Sequence, residues 1–445
     1  MNRALLSELV DWKTSRNRKP LLLRGARQVG KTWLLKEFGN RHFKNCAYIR
    51  FDKALALKEI FEREHDVARL LDSIQLEVGF KPLPEETLIV FDEIQEAPGA
   101  ISSLKYFCED APEYVIAGAG SQLGISDMKG IGFPVGKVDT LYLYPLSFLE
   151  FIDAVAPEGY GEMLRNGDWN LICAYRDFFT SCLKHYFYIG GMPEVVGDYA
   201  ESRDFAQARK IQLNLLQNYR DDFGKHAPPE EVRKIEMIWD SIPRQLAKEN
   251  KKFMYKDVQS RMKSQDLLVA MQWLLGAGLI RHTNKVSKPD IPLEGYADGG
   301  FKAFMLDVGL LAARVDISMK ILLEKSKVFE EFKGALTEQF VQQELIAYFG
   351  GRSYYWSSDK SHNEIDFLMQ CNSAVMPIEA KAGVNVKAKS LKAYCEKFKP
   401  PMAIRASLVD YYRQSLNYSN DTGSYELLDI PLYALCRLEK EMAQI

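Results

Sequence analysis

Leu21-Leu22-Leu23-Arg24-Gly25-Ala26-Arg27-Gln28-Val29-Gly30-Lys31-Thr32-Trp33-Leu34-Leu35 decides the fold of the N-terminal part of this chain. An apolar strand runs into GxxxxGK[ST], and a helical pattern from Trp33 to Phe38 follows it. That is the strand–loop–helix setting in which this spacing cradles phosphate. Gly25, Ala26, Arg27, Gln28, Val29, Gly30, Lys31 and Thr32 are therefore expected to bind the phosphates of ATP. Main-chain N–H groups must turn inward, and Cβ atoms at the two glycines would block the approach. The helix N-terminus adds partial positive charge. Lys31 is expected to reach the β- and γ-phosphates, and the Thr32 hydroxyl to ligate magnesium.

A second segment completes the pattern. Leu88-Ile89-Val90-Phe91-Asp92-Glu93 is an apolar strand ending in two carboxylates, the Walker B arrangement. Asp92 is expected to hold magnesium, and Glu93 to orient and deprotonate the attacking water. A further strand leads into Gly118-Ala119-Gly120-Ser121-Gln122, where Ser121 or Gln122 is placed to sense the γ-phosphate.

Working outward, short apolar strands at 20–24, 46–51, 87–92, 113–118 and 139–144 alternate with helices. This is the signature of a parallel sheet with crossover helices. Ahead of it, residues 3–14 read as an amphipathic helix with Leu5, Leu6, Leu9 and Val10 on one side. The whole reads as a multidomain α/β protein, divided as a P-loop ATPase domain (1–158), a helical region (159–228), a winged helix-turn-helix (229–296) and an α+β domain (297–445). The winged reading rests on helices at 231–250, 255–261 and 265–277 followed by a strand pair, Leu279 to Lys285 and a return near Ile291-Pro292-Leu293. Its third helix, Leu267 to Leu275, is mostly apolar. A base-reading helix would carry more Arg, Asn and Gln, so sequence-specific DNA reading is not expected.

Composition excludes some classes. With 47% apolar residues, 27% charged residues and a net charge of -2, the chain has an ordinary globular balance and no global attraction to polyanions or membranes. Seven scattered cysteines without a CxxC pair fit reduced thiols in the cytoplasm, and six dispersed histidines suggest no zinc site. Glu8 and Asp11 interrupt the N-terminal apolar run, and no apolar stretch of about 18 residues is present, so neither a signal segment nor a membrane span is expected. Local basic density does occur. Residues 379–405 carry Lys381, Lys387, Lys389, Lys392, Lys397, Lys399 and Arg405, and residues 244–263 are similarly basic, which makes DNA or another nucleic acid the expected polyanion partner.

The C-terminal region offers a second constellation. Phe332 to Phe349 reads as a helix carrying Glu338. Glu364-Ile365-Asp366-Phe367-Leu368-Met369 and Val375-Met376-Pro377-Ile378-Glu379-Ala380-Lys381 read as a hairpin. Strand periodicity puts Glu379 and Lys381 on one face, with Asp366 across the ladder. Clustered carboxylates at Glu338, Asp366 and Glu379 could hold magnesium against a scissile phosphate, with Lys381 positioning or helping to deprotonate a metal-bound water. A cross-strand ion-pair cluster would carry the same residues.

Both Walker elements, together with Leu143-Tyr144-Pro145-Leu146-Ser147-Phe148, Gly190-Gly191-Met192-Pro193-Glu194, Phe304-Met305-Leu306-Asp307-Val308-Gly309-Leu310-Leu311 and Thr337-Glu338-Gln339-Phe340-Val341, make the chain resemble a bacterial and archaeal AAA+-type ATPase family. Its members join the ATPase domain to a C-terminal domain of unknown function that resembles PD-(D/E)XK nucleases, and the order Glu338…Asp366…Glu379-x-Lys381 matches that arrangement. The resemblance spans nearly the whole chain and implies ATP binding without implying one biological role. Where relatives carry an arginine before Pro-Leu-Ser-Phe, here Gly136 is followed by Lys137, which lacks the planar fork of an arginine finger; Arg220 and Arg244 are other candidate cations. ATPases of this broad type often take a cation from a neighbouring copy, which implies self-association. Three readings stay open: an ATPase driving a nuclease-like domain on nucleic acid, an ATP-switched binding or scaffold protein whose nuclease-like domain is inactive, and a small-molecule phosphotransferase, against which Glu93 directly after Asp92 argues.

Overall fold

The computed structural model describes residues 2–121, 133–260, 262–323, 330–358, 363–371, 373–383, 389–419 and 423–443. The chain divides into two compact units, residues 2–144 with 276–279, and residues 145–275 with 280–445.

The first unit holds a five-stranded sheet built from β1 (Leu21–Gly25), β2 (Asn45–Arg50), β3 (Thr87–Asp92), β4 (Val115–Ser121) and β5 (Asp139–Tyr142). The order is β2-β3-β4-β1-β5, and every pairing is parallel. The five expected strands are all present, within a few residues of the positions read from the sequence. β3 is buried throughout, and β1 at all but Arg24, because helices cover both faces; this is why they read as unbroken apolar runs. Phe51, Phe61 and Phe91 meet edge-to-face at centroid distances of 5.4–5.5 Å and anchor one side of the core. The helix Val67–Val78 is bounded by Asp66, whose carboxylate accepts from the Ala68 and Arg69 amides, and by Gly79 in the left-handed region. The N-terminal helix, Leu5–Thr14, buries Leu9 and Trp12.

The second unit opens with helices from Phe148–Val155 to Phe205–His226, continues through Val232–Leu246, and ends in an eight-stranded mixed sheet. Its strands are β6 (Ile280–Val286), β7 (Ala297–Met305), β8 (Ser353–Ser357), β9 (Glu364–Cys371), β10 (Ala374–Ala380), β11 (Met402–Ser407), β12 (Tyr412–Asn417) and β13 (Ser424–Pro431), in the order β12-β13-β11-β10-β9-β8-β6-β7. The hairpin expected around residue 373 is β9–β10, antiparallel, with Ile378 opposite Phe367.

The strand pair expected near 279–293 differs from its reading. β6 returns as Ala297–Met305, not near Ile291-Pro292-Leu293. Pro292 has no N–H to give a ladder, and Leu293–Tyr296 forms a 3-10 turn instead. β6 also pairs with β8, so the pair closes one end of the eight-stranded sheet and does not stand alone as a wing. All seven cysteines are free. Among the described residues, no helix is long and apolar enough to cross a membrane.

Candidate nucleotide site and a second carboxylate cluster

β1 ends on Gly25 at the sheet rim, and the loop runs to the helix Lys31–His42. A Cβ on Gly25 would lie 2.3 Å from the Leu143 carbonyl oxygen, so glycine is required for that close approach. Gly30 has φ 95°, the left-handed geometry that turns the loop into the helix. Gln28 also has positive φ, at 64°, a conformation few non-glycine residues adopt.

The Lys31 ammonium donates to the carbonyl oxygens of Gly25 (3.0 Å) and Ala26 (2.8 Å). Burial lowers its pKa to about 8, with the Glu93 and Asp92 carboxylates holding it from falling further. The Thr32 hydroxyl donates to Asp92 Oδ2 at 2.9 Å, and Asp92 Oδ1 accepts from the Glu93 amide at 3.1 Å. Thr32 and Asp92 are 60 residues apart in sequence and touch at the site. Glu93 follows in left-handed geometry and takes a hydrogen bond from the Gln95 amide group. Ser121, at the tip of β4, lies opposite Gly25 in the parallel register. Gln122 lies outside the described residues.

Two groups here were not anticipated. The Tyr48 hydroxyl donates to the same Asp92 Oδ2 at 2.6 Å. Tyr48 sits on β2 opposite Val90, two residues short of Asp92 on the neighbouring strand, and that spacing was its only signal. Buried Arg3 reaches across to donate to the Val29 carbonyl at 3.1 Å and the Tyr144 carbonyl at 2.6 Å, bracing the loop from the N-terminal segment.

These residues fit magnesium and a triphosphate. A buried carboxylate stands beside a hydroxyl at the strand edge, a lysine is held by main-chain carbonyls, and the glycine loop admits close approach. The candidate fingers are engaged elsewhere: Lys137 pairs with Glu109 at 2.8 Å, Arg220 pairs with Asp240, and Arg244 bonds the Asp257 carbonyl.

In the second unit, Glu338, Asp366, Glu379 and Lys381 gather as the sequence order implied, but the company is different. Lys302, fully buried on β7, lies 3.1 Å from Glu338 Oε2, 2.6 Å from Glu364 Oε1 and 3.9 Å from Asp366 Oδ1. Lys251 pairs with Glu338 Oε1. Asp366 Oδ2 accepts the Ala380 amide at 2.8 Å. Lys381 pairs with Glu379 Oε1 at 2.5 Å, and the buried Glu379 Oε2 has no hydrogen-bond partner among the described residues.

Burial acts to lower the Lys302 pKa, but Glu338, Glu364 and Asp366 outweigh it and hold the ammonium well above its ordinary range. Burial, then the Glu338 and Glu379 carboxylates, push Asp366 well above the usual carboxylate range, and burial pushes Glu379 up as well. Of the three expected metal ligands, Glu338 has a lysine on each oxygen, and among the described residues no three acidic, histidine or cysteine side chains form a metal-holding group. As arranged, the cluster does not fit a divalent ion. Lys302 was missed because β7 is separated from β9 by two strands; a lone lysine inside Phe301-Lys302-Ala303-Phe304-Met305 was the signal.

Three of the later stretches that carried the family resemblance, around Leu146, Gly191 and Asp307, meet in a buried polar knot in this unit. Asp307 accepts from the Gly191 amide (2.6 Å) and the Leu310 amide (2.9 Å). Gln343 donates to Tyr186 (2.8 Å), whose hydroxyl bonds the Leu146 carbonyl, and Glu344 accepts the Phe148 amide at 2.9 Å. Burial raises Asp307 to about 6 and Glu344 to about 8. These motifs satisfy buried main chain; they hold the fold.

Parallel sheet, glycine loop and the Thr32–Asp92 contact together give the N-terminal region the fold of a P-loop nucleotide-binding domain. Residues 17–152 match the family model described as an AAA domain, residues 180–320 one described as a domain of unknown function (DUF8612), and residues 333–433 another (DUF4143). No curated protein matches the chain. Among solved structures, the Walker-type ATPase PABY2304 of Pyrococcus abyssi is 15% identical with a TM-score of 0.46, covering 71% of this chain and 95% of its own. Cdc6p from Pyrobaculum aerophilum is 14% identical with a TM-score of 0.28, covering 72% and 94%.

Proposed function

We propose that the chain is a magnesium-dependent ATPase that uses turnover to change its own conformation. The observation that carries this is the Thr32–Asp92 hydrogen bond beside Lys31. Thr32 and Asp92 would hold magnesium. The loop amides from Gly25 to Gly30 would bind the β- and γ-phosphates, and Lys31 would neutralise charge growing on them. Magnesium·ATP, when bound, supplies the phosphoryl group and a cation to offset its charge. Glu93, fixed by the Asp92–main-chain contact and by Gln95, is the base that orients water. Ser121, opposite Gly25, would read the γ-phosphate. A glutamate next to the metal acid favours hydrolysis over transfer to a small molecule.

DNA or another nucleic acid is the proposed partner, in the cytoplasm, with self-association supplying a finger cation. Lys389, Lys392 and Lys397, exposed on the helix Lys389–Phe398, support a polyanion surface. Arg405, by contrast, is committed to Asp429 through two hydrogen bonds and Lys248 to Asp257, so the basic runs offer less free charge than their sequence implies. For the C-terminal half, the ATP-switched reading with an inactive nuclease-like domain is favoured by the lysines that occupy Glu338.

The test is phosphate release with and without DNA, on the wild type and Lys31→Ala. Turnover is expected in the wild type and a fall to background in the variant; equal rates in the two proteins would remove the assigned site.

A further inference from the structure

We infer that Lys302 takes the place of a divalent cation in the C-terminal carboxylate cluster, so that the cluster is neutralised by the chain's own lysines and binds no metal. The inference does not depend on the nucleotide reading.

The geometry has three parts. First, Lys302 approaches carboxylates from two different elements, Glu338 on the helix Glu330–Phe349 and Glu364 and Asp366 on β9, as a shared metal would. An ammonium offers three donors, and it makes these contacts at hydrogen-bond lengths of 3.1 and 2.6 Å to Glu338 and Glu364, longer than the roughly 2.0–2.1 Å that magnesium demands. Second, Lys251 takes the other oxygen of Glu338, so each oxygen of that carboxylate already faces an ammonium. Third, Lys302 is inaccessible to solvent, with its ammonium 4.9 Å from the centre of the Tyr355 ring. A buried charge of this kind persists only when paired, and its removal leaves the carboxylates in need of a replacement.

That need makes the inference testable by gain of binding. The full chain carrying Asp92→Asn, which removes the N-terminal metal carboxylate from competition, is titrated with Mn2+ and followed by electron paramagnetic resonance. This parent is expected to bind no Mn2+ in a way that Glu338→Gln abolishes. Adding Lys302→Met is expected to create a Mn2+ site at least about tenfold tighter than anything the parent shows, lost again when Glu338→Gln is added.

Mn2+ held by the parent and released by Glu338→Gln would overturn the inference. So would a folded Lys302→Met chain that gains no Mn2+. If Lys302→Met does not fold, the charge-balanced Lys302→Met/Glu364→Gln chain takes the same titration, and the parent measurement decides by itself if that also fails.

Discussion

Each unit of this protein brings carboxylates and a lysine together at a sheet, and the two do so in opposite ways. At the rim of the parallel sheet, Lys31 is bonded to main-chain carbonyls, while Asp92 faces the hydroxyls of Thr32 and Tyr48. In the mixed sheet, Lys302, Lys251 and Lys381 are bonded to the carboxylates themselves. Hydroxyl partners leave a carboxylate its charge and its capacity for a metal. Ammonium partners satisfy both. Having the right acids in the right order is therefore not enough to make a metal site; what matters is which neighbour already neutralises them.

The contrast can be broken or sharpened in four ways. The largest effect is expected from Glu93→Gln, which should cut ATP turnover by about a thousandfold while leaving nucleotide binding near the wild-type level, measured by phosphate release and by nucleotide titration. Comparable loss of both would make Glu93 a binding residue.

Lys302→Met comes next. Taking the buried ammonium away from buried Glu338, which keeps only Lys251, and from partly exposed Glu364 should cost about 3 kcal/mol of stability in denaturant unfolding, partly recovered by adding Glu364→Gln. An unchanged midpoint would mean that the cluster does not depend on this charge.

A smaller effect separates the lysines by pH. Lys31 has its pKa lowered to about 8, so it deprotonates within an accessible range, whereas Lys302 is held well above its ordinary value. Nucleotide affinity should fall as pH rises through about 8, approaching about tenfold per unit where the neutral amine dominates, because phosphate binding needs the ammonium. Flat affinity from neutral pH to well above this value would contradict the assigned role.

The smallest change is expected from Tyr48→Phe. Losing one hydrogen bond to Asp92 should alter metal–nucleotide affinity by about fivefold, roughly 1 kcal/mol, as read by nucleotide titration in the presence of magnesium.

The strand–loop–helix and the acidic strand end of the candidate nucleotide site were legible because each is local. Gly25 to Thr32 is one unbroken segment, and Asp92 ends a strand whose apolar run marks its depth in the sheet. Two residues beside it were not: Tyr48 enters from the neighbouring strand, where only the sheet register brings it to Asp92, and Arg3 from the N-terminal segment. The later strand pair was misjudged because a proline and a 3-10 turn displaced its return to Ala297–Met305. The family-like stretches were legible as words and illegible in meaning, since only the folded chain brings Asp307 to Gly191 and Gln343 to Tyr186.

By itself, the sequence determined the P-loop, the acidic end of the strand at Asp92, the parallel sheet around them, and the presence of four candidate C-terminal groups. Tertiary structure decided what two of those groups face, because the charge beside Glu338 and Asp366, Lys302, arrives from a strand that does not adjoin β9 in the sheet. Local pattern fixes which acids share a face. Whether those acids meet a metal or an ammonium depends on electrostatic neutralisation in a buried place, and that is settled only when distant elements pack.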